Sequence, residues 1–443
     1  MLKKMTTVSI SLAILLTAAA CGGAVPESPS SNTSQSNNNS AKDIPKTDTK
    51  DASENVTLRF STWDTASRLD TYKAVVDGFQ AKYPNIKVQV ESVPDSYEQK
   101  IFTSLAAGNA PDVFLWWNYP QLVDKGAVEP LDSHIKSGEI DPKQYYPEIF
   151  NSSKVNGVLY SIPNIPSTRA IFYNKALFDK AGVPYPKDDW TYDDFLSAAQ
   201  KLTGNGVYGF VNEAKGTYTL QQFVWTNGGK LISDDGKTVD GIMNSPQTAE
   251  ALQWYADLVN KYKVSPSPSA STTMGGGTEM FKTGKVAMFE SGLWPLNDFK
   301  KMSNFSFGTA MMPRKNGKLV GVMHTSGFVV SKTSKNKDAA FKFANYMGSK
   351  EGQTDFVKLG FGLPEMPSIA QDLKTSEDPY LKPFLGMIKY ATVTPSYYTT
   401  PEWSKIDAKL VNAMEATILG KMTAQEALDN AVKEIKTTLQ VGK

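Results

Sequence analysis

The folded body of the chain begins with alternating strand-like and helix-like patterns, and this alternation restricts the architecture more than any other feature. Val56, Leu58 and Phe60 alternate with polar residues, which is typical of a half-buried strand. The next segments are a helical apolar spacing over 69–83, an alternating run over 86–90, a second helical pattern ending at 107–109 and the apolar run 113–115. This order predicts an α/β fold built on a doubly wound, largely parallel sheet.

Aromatic and polar residues follow directly after two of these predicted strands. Because ligands of doubly wound sheets bind beyond the carboxyl ends of the strands, we expect these residues at a binding site. Aromatic planes bury the faces of sugar rings while carboxylates and amides bind the hydroxyls, so eight tryptophans and nineteen tyrosines favour a carbohydrate ligand. The candidates from this part of the chain are Trp63, Asp64, Trp116, Trp117, Asn118 and Tyr119.

The N-terminus has the pattern of an export signal. Lys3 and Lys4 precede an apolar stretch over 8–16 that is too short to span a membrane, and small residues at 18–20 lead to Cys21. The segment resembles a bacterial lipobox, although Ala18 stands where that pattern prefers leucine. We expect residues 1–20 to be a lipoprotein signal peptide and Cys21 to carry acyl chains such as palmitate. A plain secretory signal with an incidental cysteine is the alternative.

The composition of the following segment differs from that of the body. Residues 21–55 are rich in Ser, Asn, Thr, Pro and Lys, which predicts a disordered tether to the outer face of the cell membrane. Its length suits a Gram-positive surface, and the periplasmic side of a Gram-negative membrane is the other setting. Roughly 390 residues remain, enough for two domains. The net charge is +2 and residues of both signs are mixed along the chain, so the sequence has no cluster of basic residues that would indicate nucleic-acid binding.

The residue inventory argues against a metal or a nucleotide cofactor. The chain has two histidines, His134 and His324, and Cys21 is its one cysteine, so no zinc pattern is present. No acidic loop has EF-hand spacing. The glycines at 275–277 fit neither a P-loop nor a dinucleotide fingerprint, and we interpret them as a flexible segment near the expected ligand site.

Several short motifs, each weak alone, share an order and spacing that cover nearly the whole mature length. They are Ala106 to Val113, Tyr173-Asn174-Lys175, Ala181-Gly182-Val183-Pro184, Trp190 to Phe195, Phe281 with 284–288, and Gly292 with Trp294. On these motifs the chain resembles the extracellular solute-binding proteins of bacterial ABC importers, in the group that includes the maltose-binding protein.

This resemblance implies a two-lobed fold of the periplasmic-binding-protein type II, with the ligand in a cleft between lobes joined by crossing hinge segments. The first lobe would comprise 56–171 and 326–395, and the second 174–320 and 400–443. The crossings would fall near Phe172 and Tyr173, over 320–324 and before Trp403.

The resemblance also extends the list of site residues into the second lobe. Trp294 and Trp403 fall where that group has stacking tryptophans, as judged by the surrounding residues. Packing in the core is the alternative for any single tryptophan, and the site interpretation is favoured for Trp294 and for Trp116 or Trp117. Residues near the crossings, Arg169 and His324, would touch either the ligand or the hinge. The second-lobe candidates are Trp225, Glu290, Trp294 and Trp403.

The function implied is that of a binding protein, not an enzyme. A monomeric receptor would capture a sugar or oligosaccharide by hinge closure and deliver it to the permease subunits of an ABC transporter. It would need no cofactor and no metal. A peptide, a polyamine or another polar solute is the alternative ligand.

Two enzyme readings remain open at this point. Ser133-x-x-Lys136 and Lys282-Thr283-Gly284 match two signatures of penicillin-recognising serine hydrolases, but the Ser-Asp-Asn element between them is missing. Asp64 and Glu290 would form a glycosidase pair if they faced each other across the cleft.

Overall fold

The computed structural model describes residues 55–212 and 216–439. The predicted signal peptide and Cys21 lie outside these residues, as does the predicted tether up to residue 54. The strands are β1 (Val56–Thr62), β2 (Ile86–Ser92), β3 (Val113–Trp116), β4 (Lys154–Val155), β5 (Val158–Leu159), β6 (Ile162–Ser167), β7 (Ala170–Asn174), β8 (Tyr208–Val211), β9 (Val286–Ser291), β10 (Phe307–Ala310), β11 (Gly321–Val322), β12 (His324–Val330) and β13 (Ala391–Val393).

Helices separate most of these strands. None of the helices within the described ranges is both long and apolar enough to cross a membrane. The helices are α1 (Ala66–Lys82), α2 (Tyr97–Ala106), α3 (Tyr119–Asp124), α4 (Asp132–Lys136), α5 (Pro147–Ser152), α6 (Lys175–Ala181), α7 (Tyr192–Leu202), α8 (Tyr218–Thr226), α9 (Pro246–Asn260), α10 (Pro268–Thr273), α11 (Gly276–Lys282), α12 (Leu296–Lys301), α13 (Lys337–Met347), α14 (Lys350–Lys358), α15 (Pro367–Asp372), α16 (Lys382–Ile388), α17 (Trp403–Ile418) and α18 (Ala424–Leu439).

The first lobe is built on a five-stranded sheet in the order β2-β1-β3-β12-β6. The strands β2, β1 and β3 are parallel, whereas β12 is antiparallel to both of its neighbours. The predicted βαβαβ order is confirmed over β1 to β3, where each strand and helix covers the expected residues. One hydrophobic cluster joins the sheet to α1, α13 and α14 through Phe60, Phe79, Phe343 and Phe356.

The second lobe is built on a four-stranded sheet in the order β10-β7-β9-β8. Strands β8 and β9 are parallel, and β7 is antiparallel to both β9 and β10. Helices α9, α17 and α18 pack together in the large cluster of this lobe, which includes Leu252, Leu410 and Leu428. Ile171 of β7 is fully buried in the same cluster.

Three segments connect the lobes. Residues 168 and 169 join β6 of the first sheet to β7 of the second, so the first crossing lies before the predicted position at Phe172 and Tyr173. Those two residues belong to β7, where they pair with Phe289 and Met288 of β9. β11, which lies within the predicted second crossing over 320–324, pairs with β13 in a two-stranded parallel sheet. The predicted third crossing before Trp403 stays a prediction.

The exact lobe boundaries stay a prediction, and the contacts of α16 bear on where they should be drawn. This helix lies inside the range 326–395 that the sequence assigned to the first lobe. Its Phe384 is fully buried in a cluster with Phe172, Phe299 and Phe307 of the second lobe. A buried aromatic side chain determines where such a short helix docks, and the spacing of apolar residues does not reveal the surface it docks against.

Candidate ligand-binding site

A cavity of about 420 Å³ lies between the two lobes. We call it the interlobe cavity. Trp63, which follows β1, and Trp117, which follows β3, line it from the first lobe. Tyr218 at the start of α8 and Trp294 in the turn after β9 line it from the second. The structure thus brings together predicted residues from both lobes around one space.

A second cavity, of about 380 Å³, lies within the second lobe, and we call it the second-lobe cavity. The carboxyl ends of the parallel strands β8 and β9 and the start of α11 form its wall. The predicted flexible glycines 275–277 line it. Arg169 and Trp294 line both cavities, so the two spaces meet at these residues.

Arg169 and Glu290 form an ion pair where the two cavities meet. The register of β7 and β9 pairs Ile171 with Glu290, which places Arg169 beside the carboxylate. Arg169 Nη1 donates to Glu290 Oε2 over 3.2 Å, and the two side chains are 8% and 0% exposed. Thr219 Oγ1 donates to the same carboxylate oxygen over 2.7 Å. A buried charge without a partner is costly, so each of these two side chains is stabilised in its position by the other.

The Arg169 guanidinium also lies against aromatic rings. Its central carbon is 4.9 Å from the ring centroid of Trp294 and 5.4 Å from that of Tyr218. Cation–π contacts of this kind hold an aromatic plane in a defined orientation. Trp294 is nevertheless 43% exposed and lines both cavities, so part of its side chain is accessible to a ligand.

His324 connects Arg169 to the third crossing segment. Arg169 Nε lies 3.5 Å from His324 Nε2 and donates to it, and His324 Nδ1 lies 2.6 Å from the Tyr397 hydroxyl. Burial, and secondarily the positive charge of Arg169, lower the pKa of His324 well below its usual range. The ring is therefore neutral near pH 7, with Nδ1 carrying the proton. These contacts link all three crossing segments to the wall of the interlobe cavity.

The aromatic residues of the first lobe form two layers. Trp117 packs edge-on against Trp63, with ring centroids 5.2 Å apart, and both line the interlobe cavity. Trp116 stacks beneath Trp117 at 5.1 Å, is fully buried, and donates from Nε1 to the carbonyl oxygen of Asn118 over 2.9 Å. Trp116 therefore lines neither cavity; it supports the tryptophan that does.

Three further predicted residues of the first lobe serve local packing and line neither cavity. Asp64 is buried in an ion pair with Arg68, with 2.6 Å between Oδ1 and Nε. Asn118 caps α3 by accepting a hydrogen bond from the backbone N–H of Gln121 over 3.4 Å. Tyr119 is buried, with its ring stacked 5.9 Å from that of Tyr398.

Two predicted tryptophans of the second lobe also lie away from both cavities. Trp225 is buried near the end of α8, and Trp403 is buried at the start of α17 in the main core of the lobe. Tryptophan is a frequent core residue, and these two positions follow that general tendency.

Residues that the sequence did not single out complete the interlobe cavity. Arg68 lies on α1 with its guanidinium 3.8 Å from the ring centroid of Phe361, and both residues line the cavity. Tyr218 and Tyr397, which are far apart in the chain, also line the cavity. Their only signal in the sequence is that they are aromatic residues outside a periodic pattern.

The two enzyme arrangements that the sequence suggested do not form within the described residues. Asp64 lines neither cavity, so it does not face Glu290 across the cleft. Ser133 and Lys136 belong to α4 of the first lobe, whereas Lys282 ends α11 of the second. Within the same ranges, no three His, Cys, Asp or Glu side chains lie close enough together to hold a metal ion.

The fold and the site together define a two-lobed binding protein that holds its ligand in an interlobe cleft. The chain belongs to the bacterial extracellular solute-binding proteins, since the sequence model of that family matches residues 63–354. Membership in this family implies a location outside the cytoplasm.

Similar proteins are known in sequence and in structure. An ABC substrate-binding protein from Listeria monocytogenes, solved in complex with cycloalternan, is 27% identical with a TM-score of 0.79, over 87% of this chain and 100% of that one. The galactooligosaccharide-binding protein of Bacillus subtilis is 24% identical over 84% of this chain and 88% of its own length. The sn-glycerol-3-phosphate-binding periplasmic protein of Escherichia coli O1:K1 is 24% identical over 80% and 86%.

Proposed function

We propose that this protein is the extracellular receptor of an ABC importer and that it captures a sugar or an oligosaccharide. The observation that carries the proposal is the opposition of aromatic rings across the interlobe cavity. Trp63 and Trp117 face the cavity from one lobe, and Trp294 and Tyr218 face it from the other. Aromatic planes of this kind bury the C–H faces of a pyranose ring. The names of the Listeria and Bacillus relatives support the same ligand class.

Binding is coupled to closure of the lobes. A ligand that contacts only one lobe in an open state and both lobes in a closed state has a higher affinity for the closed state, so it shifts the population toward closure. The hydrogen-bonded series Tyr397, His324, Arg169 and Glu290 joins the crossing segments to the cavity walls. The permease subunits would then recognise the closed monomer and accept the ligand from it.

The protein binds its ligand without cleaving it. The site offers Glu290 as a buried, ion-paired carboxylate, and glycoside hydrolysis requires a second carboxyl group opposite the first. Incubation of the protein with each ligand should therefore release no reducing ends. New reducing ends in proportion to the protein concentration would contradict the proposal and show that the protein is a hydrolase.

A second ligand class is suggested by the Escherichia coli relative and by Arg169, a cation in the wall of both cavities. A thermal-shift screen with mono- and oligosaccharides, sn-glycerol 3-phosphate, peptides and polyamines separates the classes. A ligand at a hundred times its Kd should add about 2.7 kcal/mol to the free energy of unfolding and raise the melting temperature by several degrees. A response to one sugar family supports the proposal, and a response confined to the phosphate or to another solute contradicts it.

We also propose that Cys21 carries a lipid anchor and that the protein is membrane-attached. The support is the sequence pattern before Cys21 alone. Cells that express the protein should incorporate labelled palmitate into it and retain it in the membrane fraction. The Cys21→Ser variant should lose the label and appear in the medium or the periplasm. Retention of the variant in the membrane fraction would contradict the anchor.

A further inference from the structure

Two arginine side chains lie in the wall of the interlobe cavity, one from each lobe. Among the described residues that line this cavity, the charged ones are Arg68 and Arg169, and none is a carboxylate. The Arg68 side chain is 29% exposed, whereas that of Arg169 is 8% exposed. A hydrogen-bond donor must be accessible in the ligand-free protein to meet a ligand, so Arg68 is the guanidinium that a ligand can reach.

Contacts on two sides hold the Arg68 guanidinium in one orientation. Its Nε donates to Asp64 Oδ1 over 2.6 Å, and its central carbon lies 3.8 Å from the ring centroid of Phe361. Its Nη1 is directed at the carbonyl oxygen of Phe361, which is 3.5 Å away. The planar group carries more N–H donors than these contacts use, and it presents them in fixed directions. The orientation of Arg68 is therefore set before a ligand arrives.

The carboxylate of Asp64 is itself held from behind. Its Oδ2 accepts from Thr62 Oγ1 over 3.0 Å, and Thr62 is fully buried in β1. The backbone of Asp64 is also fixed, since its N–H donates to Thr62 Oγ1 over 3.1 Å and its carbonyl oxygen accepts from Ser92 Oγ over 2.8 Å. Asp64 is buried and lines neither cavity, so its carboxylate affects a ligand only through Arg68.

From these observations we infer that Arg68 donates hydrogen bonds to the bound sugar and that Asp64 is its positioning residue. The inference rests on the proposed sugar-binding function and adds a residue that selects among sugars. Trp63 and Trp117 line the same cavity and can cover the face of a pyranose ring, while the guanidinium donates to oxygens at the edge of the ring. A sugar that lacks the contacted oxygen leaves the donor unpaired in the closed cleft, which lowers the affinity.

The test is a double-mutant cycle on Arg68 and Asp64, in which the sugar that gives the largest shift in the screen is titrated by calorimetry. Arg68→Ala should raise its Kd by about tenfold or more, because a hydrogen bond from a charged donor is lost. Asp64→Ala should raise it by about fivefold or more. In the Arg68→Ala background, Asp64→Ala should change the Kd by less than about twofold, since a residue that acts only through Arg68 has no further effect once Arg68 is absent.

Monodeoxy derivatives of the same sugar show whether Arg68 touches it. One derivative should bind the wild type about fivefold or more weakly than the parent sugar, yet bind Arg68→Ala with a Kd within about twofold of the parent. The matched control is Arg59→Ala, because Arg59 Nε lies 2.6 Å from Glu91 Oε1 in the same lobe and the residue lines neither cavity. This variant should behave as the wild type in every titration.

Two conservative variants keep the test valid if an alanine variant does not fold. Arg68→Lys keeps the charge without the planar group, and Asp64→Asn keeps the size without the charge, so each can take the place of the alanine variant with the same expected pattern. Folded Arg68 variants with a Kd within about twofold of the wild type would overturn the contact with the sugar. Equal effects of the Asp64 variant in both backgrounds would overturn its positioning role. Both results leave the wild type binding sugar, whereas a wild type that binds no sugar would overturn the proposed function and this inference with it.

Discussion

Replacement of Trp294 by alanine tests the cleft assignment most directly. Trp294 lines both cavities, and it lies in a turn after β9 and not inside a core. With 43% of the residue exposed, the ligand-free protein depends little on the ring for its stability. The substitution should therefore affect ligand binding far more than folding.

The size of the effect follows from the exposed surface. Covering roughly 100 Å² of indole at about 25 cal/mol per Å² gives an upper value of about 2.5 kcal/mol. A ligand covers only part of that surface, and the alanine variant also loses the contact that orients Arg169. We expect a binding loss of about 1 to 3 kcal/mol, which is about a 5- to 150-fold increase in Kd.

The assay is calorimetric titration with the sugar that gives the largest shift in the screen. Tyr185→Ala is the matched control, because Tyr185 is a second-lobe aromatic residue with 40% exposure that lines neither cavity. Thermal unfolding of both variants without ligand measures any loss of stability. If Trp294→Ala and Tyr185→Ala bind the sugar with Kd values within twofold of the wild type, the ligand does not stack on Trp294 and the cleft assignment is refuted.

Two further predictions concern stability. Trp116→Ala should lower the free energy of unfolding by about 3 to 5 kcal/mol in urea titrations, because the side chain is fully buried; a loss below about 1 kcal/mol would contradict its packing role. The folded pKa of His324 is below its unfolded value near 6.5, so the unfolded chain binds a proton that the folded protein does not, and stability falls as the pH decreases below about 6.5. Urea titrations at several pH values measure the slope of the free energy of unfolding against pH. In the His324→Gln variant this slope should decrease by up to about 1.4 kcal/mol per pH unit, and an unchanged slope would contradict the assignment.

The sequence by itself determined the order and the approximate positions of the first strands and helices. Alternation and helical spacing located β1 to β3 and the helices between them, because these periods reflect which side of each element is buried. The Thr-x-x-Asp pattern at Thr191 predicted a helix start, and the structure shows a complete capping box with Asp194 at α7. Trp63 and Trp117 lie where strand ends predicted a ligand site. Each of these features depends on residues that are close together in the chain.

The tertiary structure decided which of the predicted residues line the cavities. Trp116 ends β3 and Trp117 follows it, and the two rings stack on each other, so only the packed structure shows which one is buried and which one lines the cavity. Likewise, the register of β7 and β9 places Arg169 beside Glu290, although 121 residues separate them in the chain. The ion pair in the cavity wall depends on that register, and the sequence could not predict it because pairing between distant segments leaves no periodic trace in the sequence.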